Sequence, residues 1–251
     1  MNLAVDIGNT HIKAAVFDGD LIVETFKSKR ADAAFVDSVF DAYPAVGSAI
    51  LTSVRGDVGE VEAALRRRVA RYVRLDAATP VPIHNRYSTP ATLGPDRLAA
   101  AVGANAIYPE SNVMIVDFGT AITIDLVTSE GEFAGGNISP GVEMRLRALH
   151  EFTAGLPLVT AAGATTSATA GEGASLLATA TEEAVRSGVL CGVLYEIEGY
   201  IARLGARHDD LKIIFTGGDG KYFAKRLKNT IFATYDLVVH GLNRILEYNE
   251  K

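Results

Sequence analysis

The sequence predicts an α/β fold made of two copies of one lobe, each a mixed β-sheet flanked by helices. Two observations carry this. The run "VDIGNT" at 5–10 returns as "VDFGTA" at 116–121, and each copy opens a strand–turn–strand. After each opening the pattern changes to strands alternating with helical stretches, as a sheet covered by helices requires. The spacing between Asp6 and Asp117 is domain-sized, so this is an internal duplication and not a short-period array.

Taken in order, "NLAVDIG", "HIKAAVFDG" and "LIVETFKS" are short β-rich runs bounded by Gly-Asn and Gly-Asp, and predict three strands joined by tight turns. A helix over 31–43, a strand over 48–54, a helix over 58–69 and a strand over 72–76 follow. Pro80, Pro82, Pro90 and Pro95 then punctuate the chain ahead of a helix over 96–108. The pattern restarts with strands over 112–119, 121–131 and 132–141, then one long helical stretch over 173–207. Strand, helix, strand and helix close the chain over 211–250. The expected division is 1–110 and 111–251, with a ligand cleft between the lobes.

Composition excludes several classes. A net charge of −6 disfavours nucleic acid as the main partner, because phosphate backbones reward a basic face. The one basic run, Arg66, Arg67 and Arg68 with Arg71 and Arg74, reads as a solvated helix face running into a strand. The single cysteine, Cys191, rules out an internal disulfide framework and is expected to be a buried, inert thiol. No basic-then-apolar leader opens the sequence and no apolar run reaches about 18 residues, so a cytoplasmic protein without a membrane span is expected. The five histidines are scattered without paired spacing, which gives transition-metal chemistry little support.

The chemistry concentrates at the Asp-X-Gly turns. Asp6, at the end of a buried strand, puts a carboxylate at the rim of the sheet, and Gly8 lets a ligand approach the backbone. Asn9 and Thr10 add amide, hydroxyl and N–H groups, and Lys13 adds an ammonium, which together suit a polyphosphate and its Mg²⁺. The plainer alternative is a tight hairpin in which Asn and Gly supply turn chemistry. The second copy keeps Asp117, Gly119 and Thr120 but has Ala121 and Ile124 where Asn9 and Lys13 stand, so it should do a related, less cationic job. "TGGDGKY" is not a P-loop, since Phe215 and Tyr222 occupy the positions of the leading Gly and the Ser/Thr. "GEGAS" follows no strand and is no dinucleotide fingerprint. "FTGGDG" is either the adenosine end of a nucleotide site or a plain strand–helix turn.

"DIGNTHIK", "Y…LGPDR", "DFGTAITID", "GGNISPG" and "TAGLP" stand in the same order as in type III pantothenate kinases, and the chain resembles that family along nearly its whole length. The resemblance implies the acetate kinase/sugar kinase/Hsp70/actin superfamily, with two duplicated RNase H-like lobes. It implies ATP-dependent phosphorylation of pantothenate, with Mg²⁺ and a monovalent cation, K⁺ or NH₄⁺. Asp6, Ile7, Gly8, Asn9, Thr10, His11, Ile12 and Lys13 would form the ATP phosphate loop, and Thr120 would contact ATP. Tyr87, Gly94, Pro95, Asp96 and Arg97 would bind pantothenate, with Asp96 as catalytic base, and Asp117 would hold the monovalent cation. Thr166 would contact pantothenate across a homodimer interface, with Thr165, Ser167 and Thr169 as competing assignments.

Physical reasoning adds to these roles. Pro95 suits the first position of a helix, which places Asp96 in the first turn. The helix dipole and Arg97 are expected to keep Asp96 ionised, and Arg97 can hold a carboxylate with forked hydrogen bonds. Pro95 itself departs from the small residue usual in the family, which removes one N–H. Two other readings remain: a regulator like the Bvg accessory factors, and another small-molecule kinase of the superfamily.

Overall fold

In a computed structural model, residues 1–56, 58–161, 176–227, 231–234 and 236–250 are described. Five strands form the first sheet: β1 (Asn2–Ile7), β2 (Ile12–Asp18), β3 (Leu21–Ser28), β4 (Ser48–Ser53) and β5 (Arg71–Arg74), in the order β3-β2-β1-β4-β5. β1 and β2 pair antiparallel, whereas β4 lies parallel to β1 on its other side. The hairpin needs only a tight turn, and the parallel partner needs the crossover that α1 (Ala33–Ala42) provides. Asp32 caps α1 by accepting a hydrogen bond from the N–H of Phe35 at 3.0 Å. α2 (Gly59–Arg68) returns the chain to β5.

Alternation along β1 sorts its two faces. Leu3, Val5 and Ile7 enter an apolar core with Val36, Val39, Val61 and Leu65 of α1 and α2. Asn2, Ala4 and Asp6 face the other way. On that side the side-chain amide of Asn2 donates to Asn243 of α7 (Leu237–Tyr248) at 3.0 Å. α7 also packs on α3 (Pro95–Ile107), where the two helices meet almost backbone to backbone. A Cβ on Gly241 would fall 1.8 Å from the carbonyl oxygen of Ala99, and one on Gly103 would fall 2.5 Å from that of Leu237.

The second sheet has six strands in the order β11-β10-β7-β8-β9-β6. They are β6 (His84–Asn85), β7 (Val113–Phe118), β8 (Ala121–Val127), β9 (Glu132–Pro140), β10 (Lys212–Gly217) and β11 (Phe232–Ala233). α4 (Val142–Glu151), α5 (Thr181–Gly205) and α6 (Gly220–Ala224) accompany it. Met114, Val116 and Phe118 of β7 share a core with Leu146 of α4, Val189, Val193 and Ile197 of α5, and Phe223 of α6.

By packing, the chain forms two compact units. One comprises Met1–Ser111, Leu126–Gly135 and Asp236–Lys251, and the other Asn112–Asp125 and Gly136–Tyr235. This differs from a simple cut at 110/111: α7 is last in the chain but belongs with α3 and β1. Three other expectations change. The long helix begins at Thr181: the described residues 176–180 form bends and bury nothing. α4 was not anticipated, since it buries only Val142 and Leu146 and follows a Pro-Gly. Cys191 is only partly buried, on the outward side of α5. The arginine run does form a helix face, tied by Arg66 to Glu62 and by Arg68 to Asp37. Among the described residues, no helix is long and apolar enough to cross a membrane.

Candidate functional site

In the first unit, β1 ends just after Asp6, and the loop Gly8–His11 closes with the N–H of Gly8 donating to the carbonyl of His11 at 3.0 Å. Asn9 and Thr10 are exposed at its tip, whereas Ile7 and Ile12 are buried and anchor its ends. Arg55, in the turn after β4, donates to the Asn9 carbonyl at 2.8 Å and so braces the loop from outside it. Burial, followed by the charges of Lys27, Lys29 and Arg55, holds the His11 pKa below its ordinary value.

Register fixes what surrounds Asp6. Lys13 is its partner on β2 and Thr52 its partner on β4, so all three side chains project from one face. The Thr52 hydroxyl is fully buried and makes no hydrogen bond among the described residues. A carboxylate beside a hydroxyl with spare capacity fits a hydrated divalent ion, which prefers oxygen donors and usually keeps some of its waters. Lys13 Nζ lies 2.5 Å from Asp236 Oδ1.

The second unit repeats this design with changes. Asp117 again stands one residue before its strand ends, and Thr216 of β10 is its parallel partner as Thr52 is of Asp6. Sequence reading matched the Asp-X-Gly turns but missed both threonines, because only the strand register brings them beside the carboxylates. The turn here is the shorter Gly119–Thr120, closed by a bond from the Gly119 N–H to the Ala121 carbonyl at 3.2 Å. Thr120 is exposed, and its carbonyl accepts from the N–H of Gly141 at 3.1 Å.

Gly217, at the end of β10, has φ +83°, a backbone conformation that favours glycine. A Cβ there would fall 2.4 Å from Asp117 Oδ1 and 2.5 Å from the Phe118 carbonyl oxygen. Both oxygens therefore converge on space that only glycine leaves open, and a carboxylate plus a carbonyl fit a hard, weakly charged cation. Gly217 of the "FTGGDG" segment therefore lies against Asp117. Among the described residues no group of three or more His, Cys, Asp or Glu gathers into a metal site.

The remaining predicted residues meet in the first unit. Gly94 precedes α3, Pro95 occupies its first turn, and Asp96 is the acid there. Asp96 Oδ1 accepts a hydrogen bond from the N–H of Arg97 at 2.9 Å. Arg97 is only 5% exposed, with its guanidinium carbon 5.6 Å from the Tyr87 ring centre and 5.8 Å from that of Phe133. Phe133, missed in the sequence, is fully buried and packs against Tyr87 with ring centres 6.1 Å apart.

The expectation for Asp96 is corrected here. Burial is the dominant influence and raises its pKa above the ordinary carboxylate value, against the opposing hydrogen bonds and the Arg97 charge. The carboxyl lies half-buried over the start of α3, where the surrounding protein strips it of water. Thr166 lies outside the described residues.

The family described as "Type III pantothenate kinase" matches residues 2–203. A type III pantothenate kinase of Bacteroides fragilis is 43% identical over 250 residues, covering 99% of this chain and 98% of the relative. Among solved structures, a Campylobacter jejuni protein described as a Baf family transcriptional activator has TM-score 0.64 at 20% identity, covering 99% of this chain and 98% of its own. A Listeria monocytogenes protein described as an N-acetylmannosamine kinase has TM-score 0.57 at 13% identity, covering 100% of this chain and 99% of its own. The structural likenesses show an actin-like ATPase and sugar kinase fold. The sequence match assigns the chain to the type III pantothenate kinase family.

Proposed function

We propose that this protein transfers the γ-phosphoryl group of ATP to the primary hydroxyl of pantothenate, giving 4′-phosphopantothenate, the first step of coenzyme A biosynthesis. The observation that carries the reading is a half-buried Asp96 of raised proton affinity, next to the buried Arg97 beside Tyr87, in a chain of this family.

Asp96 accepts the proton of the hydroxyl as its oxygen bonds to the γ-phosphorus and ADP departs. A raised pKa makes Asp96 a better base than a surface carboxylate. Arg97, set against two aromatic rings, presents its charge to the carboxylate of pantothenate. The loop amides of Gly8–His11, the Thr10 hydroxyl and the Lys13 ammonium neutralise and orient the phosphates, and Thr120 makes a further contact with ATP. Phosphoryl transfer relies mostly on such positioning.

Mg²⁺, when bound, neutralises charge on the phosphates, and Asp6 with Thr52 would hold it. Asp117 with the Phe118 carbonyl would hold K⁺ or NH₄⁺.

The chain works as a homodimer in the cytoplasm on this reading. α5 supports the dimer: among the described residues nothing lies within 4 Å of the Cβ positions of Gly188, Gly192 and Gly199, and Leu177, Tyr195 and Phe152 are exposed. An exposed apolar face of this kind is what an interaction surface needs.

The test is product formation from ATP and a panel of hydroxylated acids and sugars that includes pantothenate, in K⁺, NH₄⁺ or Na⁺. Pantothenate should be the preferred acceptor, with much lower turnover in Na⁺. Preference for another acceptor would overturn the substrate.

A further inference from the structure

Lys13 is a long, flexible cation that must arrive at a defined point to serve a phosphate. Its ammonium lies 2.5 Å from Asp236 Oδ1, with both side chains mostly covered (24% and 33% exposed). We propose that Asp236 is a positioning residue for Lys13, fixing the ammonium at the phosphate loop, an inference that rests on the kinase reading above.

Asp236 is itself fixed. It immediately precedes α7, whose first residue Leu237 is fully buried. The close Gly103–Gly241 crossing presses this end of α7 onto α3, and a Cβ on either glycine would strike the other helix's backbone. Farther along α7, Asn243 is 2% exposed, accepts from the side chain of Asn2 at 3.0 Å and donates to the Gly19 carbonyl at 3.1 Å. These bonds tie the helix to the start of β1 and to the β2–β3 turn.

The carboxylate of Asp236 makes no capping bond to the first turn of α7. It holds an anion at the positive end of the helix dipole, where its charge is favoured. An ammonium has three donors, so it can bind a carboxylate and phosphate oxygens together. The pair thus removes rotamer freedom that Lys13 would otherwise lose on binding nucleotide. Asp236 also lies beyond residues 2–203, the part of the chain that carries the family pattern.

The experiment uses the full chain with Asp236→Asn and Asp236→Glu. It reads the KM for each substrate and calorimetric binding of a non-hydrolysable ATP analogue with Mg²⁺ in the absence of pantothenate. Asp236→Asn should weaken analogue binding and raise the KM for ATP by about three- to tenfold, the scale of a partly exposed ion pair together with lost orientation. The KM for pantothenate should not change, and Asp236→Glu should recover most of the loss. Adding Asp236→Asn to Lys13→Met should cost nothing further, because Asp236 acts through Lys13. Unchanged analogue binding in Asp236→Asn, or additive losses in the double variant, would overturn the proposal. If Asp236→Asn does not fold, Asp236→Ser tests the same charge. A failure of the pantothenate reading is distinguishable: the wild type would then give no product while analogue binding still depended on Asp236.

Discussion

A Cβ built on Gly94 would lie 2.6 Å from Oδ1 of Asp96, closer than any real contact permits. Gly94 is therefore the residue that lets Asp96 fold back over the start of α3. Gly94→Ala should push the carboxylate out of place and lower kcat by about 10²-fold, the scale of a misplaced catalytic group. Thermal melting should change little. Full activity in that variant would show that Asp96 works from another rotamer.

Burial makes the ionised Asp96 costly to the fold, which gives a pH-dependent prediction. A carboxyl whose folded pKa is raised takes up protons more readily folded than unfolded. Its contribution is fully favourable below the unfolded value and is lost as pH rises through the folded one. Asp96→Asn should therefore melt higher than the wild type at neutral pH. That gain should shrink as pH falls through the raised Asp96 pKa toward the ordinary carboxylate value. Turnover should fall by about 10²–10⁴-fold. In the wild type, the acid limb of kcat/KM should lie above the ordinary carboxylate range, read from a pH–rate profile.

Phe133 and Tyr87 pack together beside the Arg97 guanidinium. Phe133→Leu keeps the site apolar but removes one ring, so the KM for pantothenate should rise by about three- to tenfold, in line with a cation–π contact of roughly 1 kcal/mol. The KM for ATP should stay where it is. Equal changes in both would indicate general loosening of the unit.

Gly217 predicts cation dependence. Gly217→Ala places a methyl where Asp117 Oδ1 and the Phe118 carbonyl converge, and does so at a φ that alanine adopts with strain. Activation by K⁺ or NH₄⁺ should be lost or need much higher salt, measured as rate against cation concentration. An unchanged activation curve would move the cation site away from Asp117.

Much of the fold was legible in the sequence because it rests on local chemistry. β1–β2 and β7–β8 follow from apolar runs ended by Asp-X-Gly, and Pro95 marks the start of α3. What was missed depends on partners far along the chain. Thr52 and Thr216 become site residues only through parallel register with Asp6 and Asp117. Phe133 matters because it comes to rest beside Arg97, and Asp236 because α7 docks on α3. The proton affinity of Asp96 went the other way because neighbouring charges can be read from spacing, while desolvation depends on everything packed around the group. α4 escaped notice because its apolar stripe is only two residues wide in the buried sense.

The close α3–α7 crossing also bears on how the molecule is made. On the ribosome, β1 and α3 emerge early, but the helix that covers them is synthesised only after the whole of Gly136–Tyr235. The first unit thus waits, with the Asn2, Ala4 and Asp6 face of its sheet uncovered, while the second is translated and has the chance to fold first. Chains usually fold domain by domain from the N-terminus; here the order of completion is reversed. A nascent chain stalled before Asp236 should expose apolar surface at Ala99, Gly103 and β1, and so be the stage at which chaperone binding and aggregation are greatest.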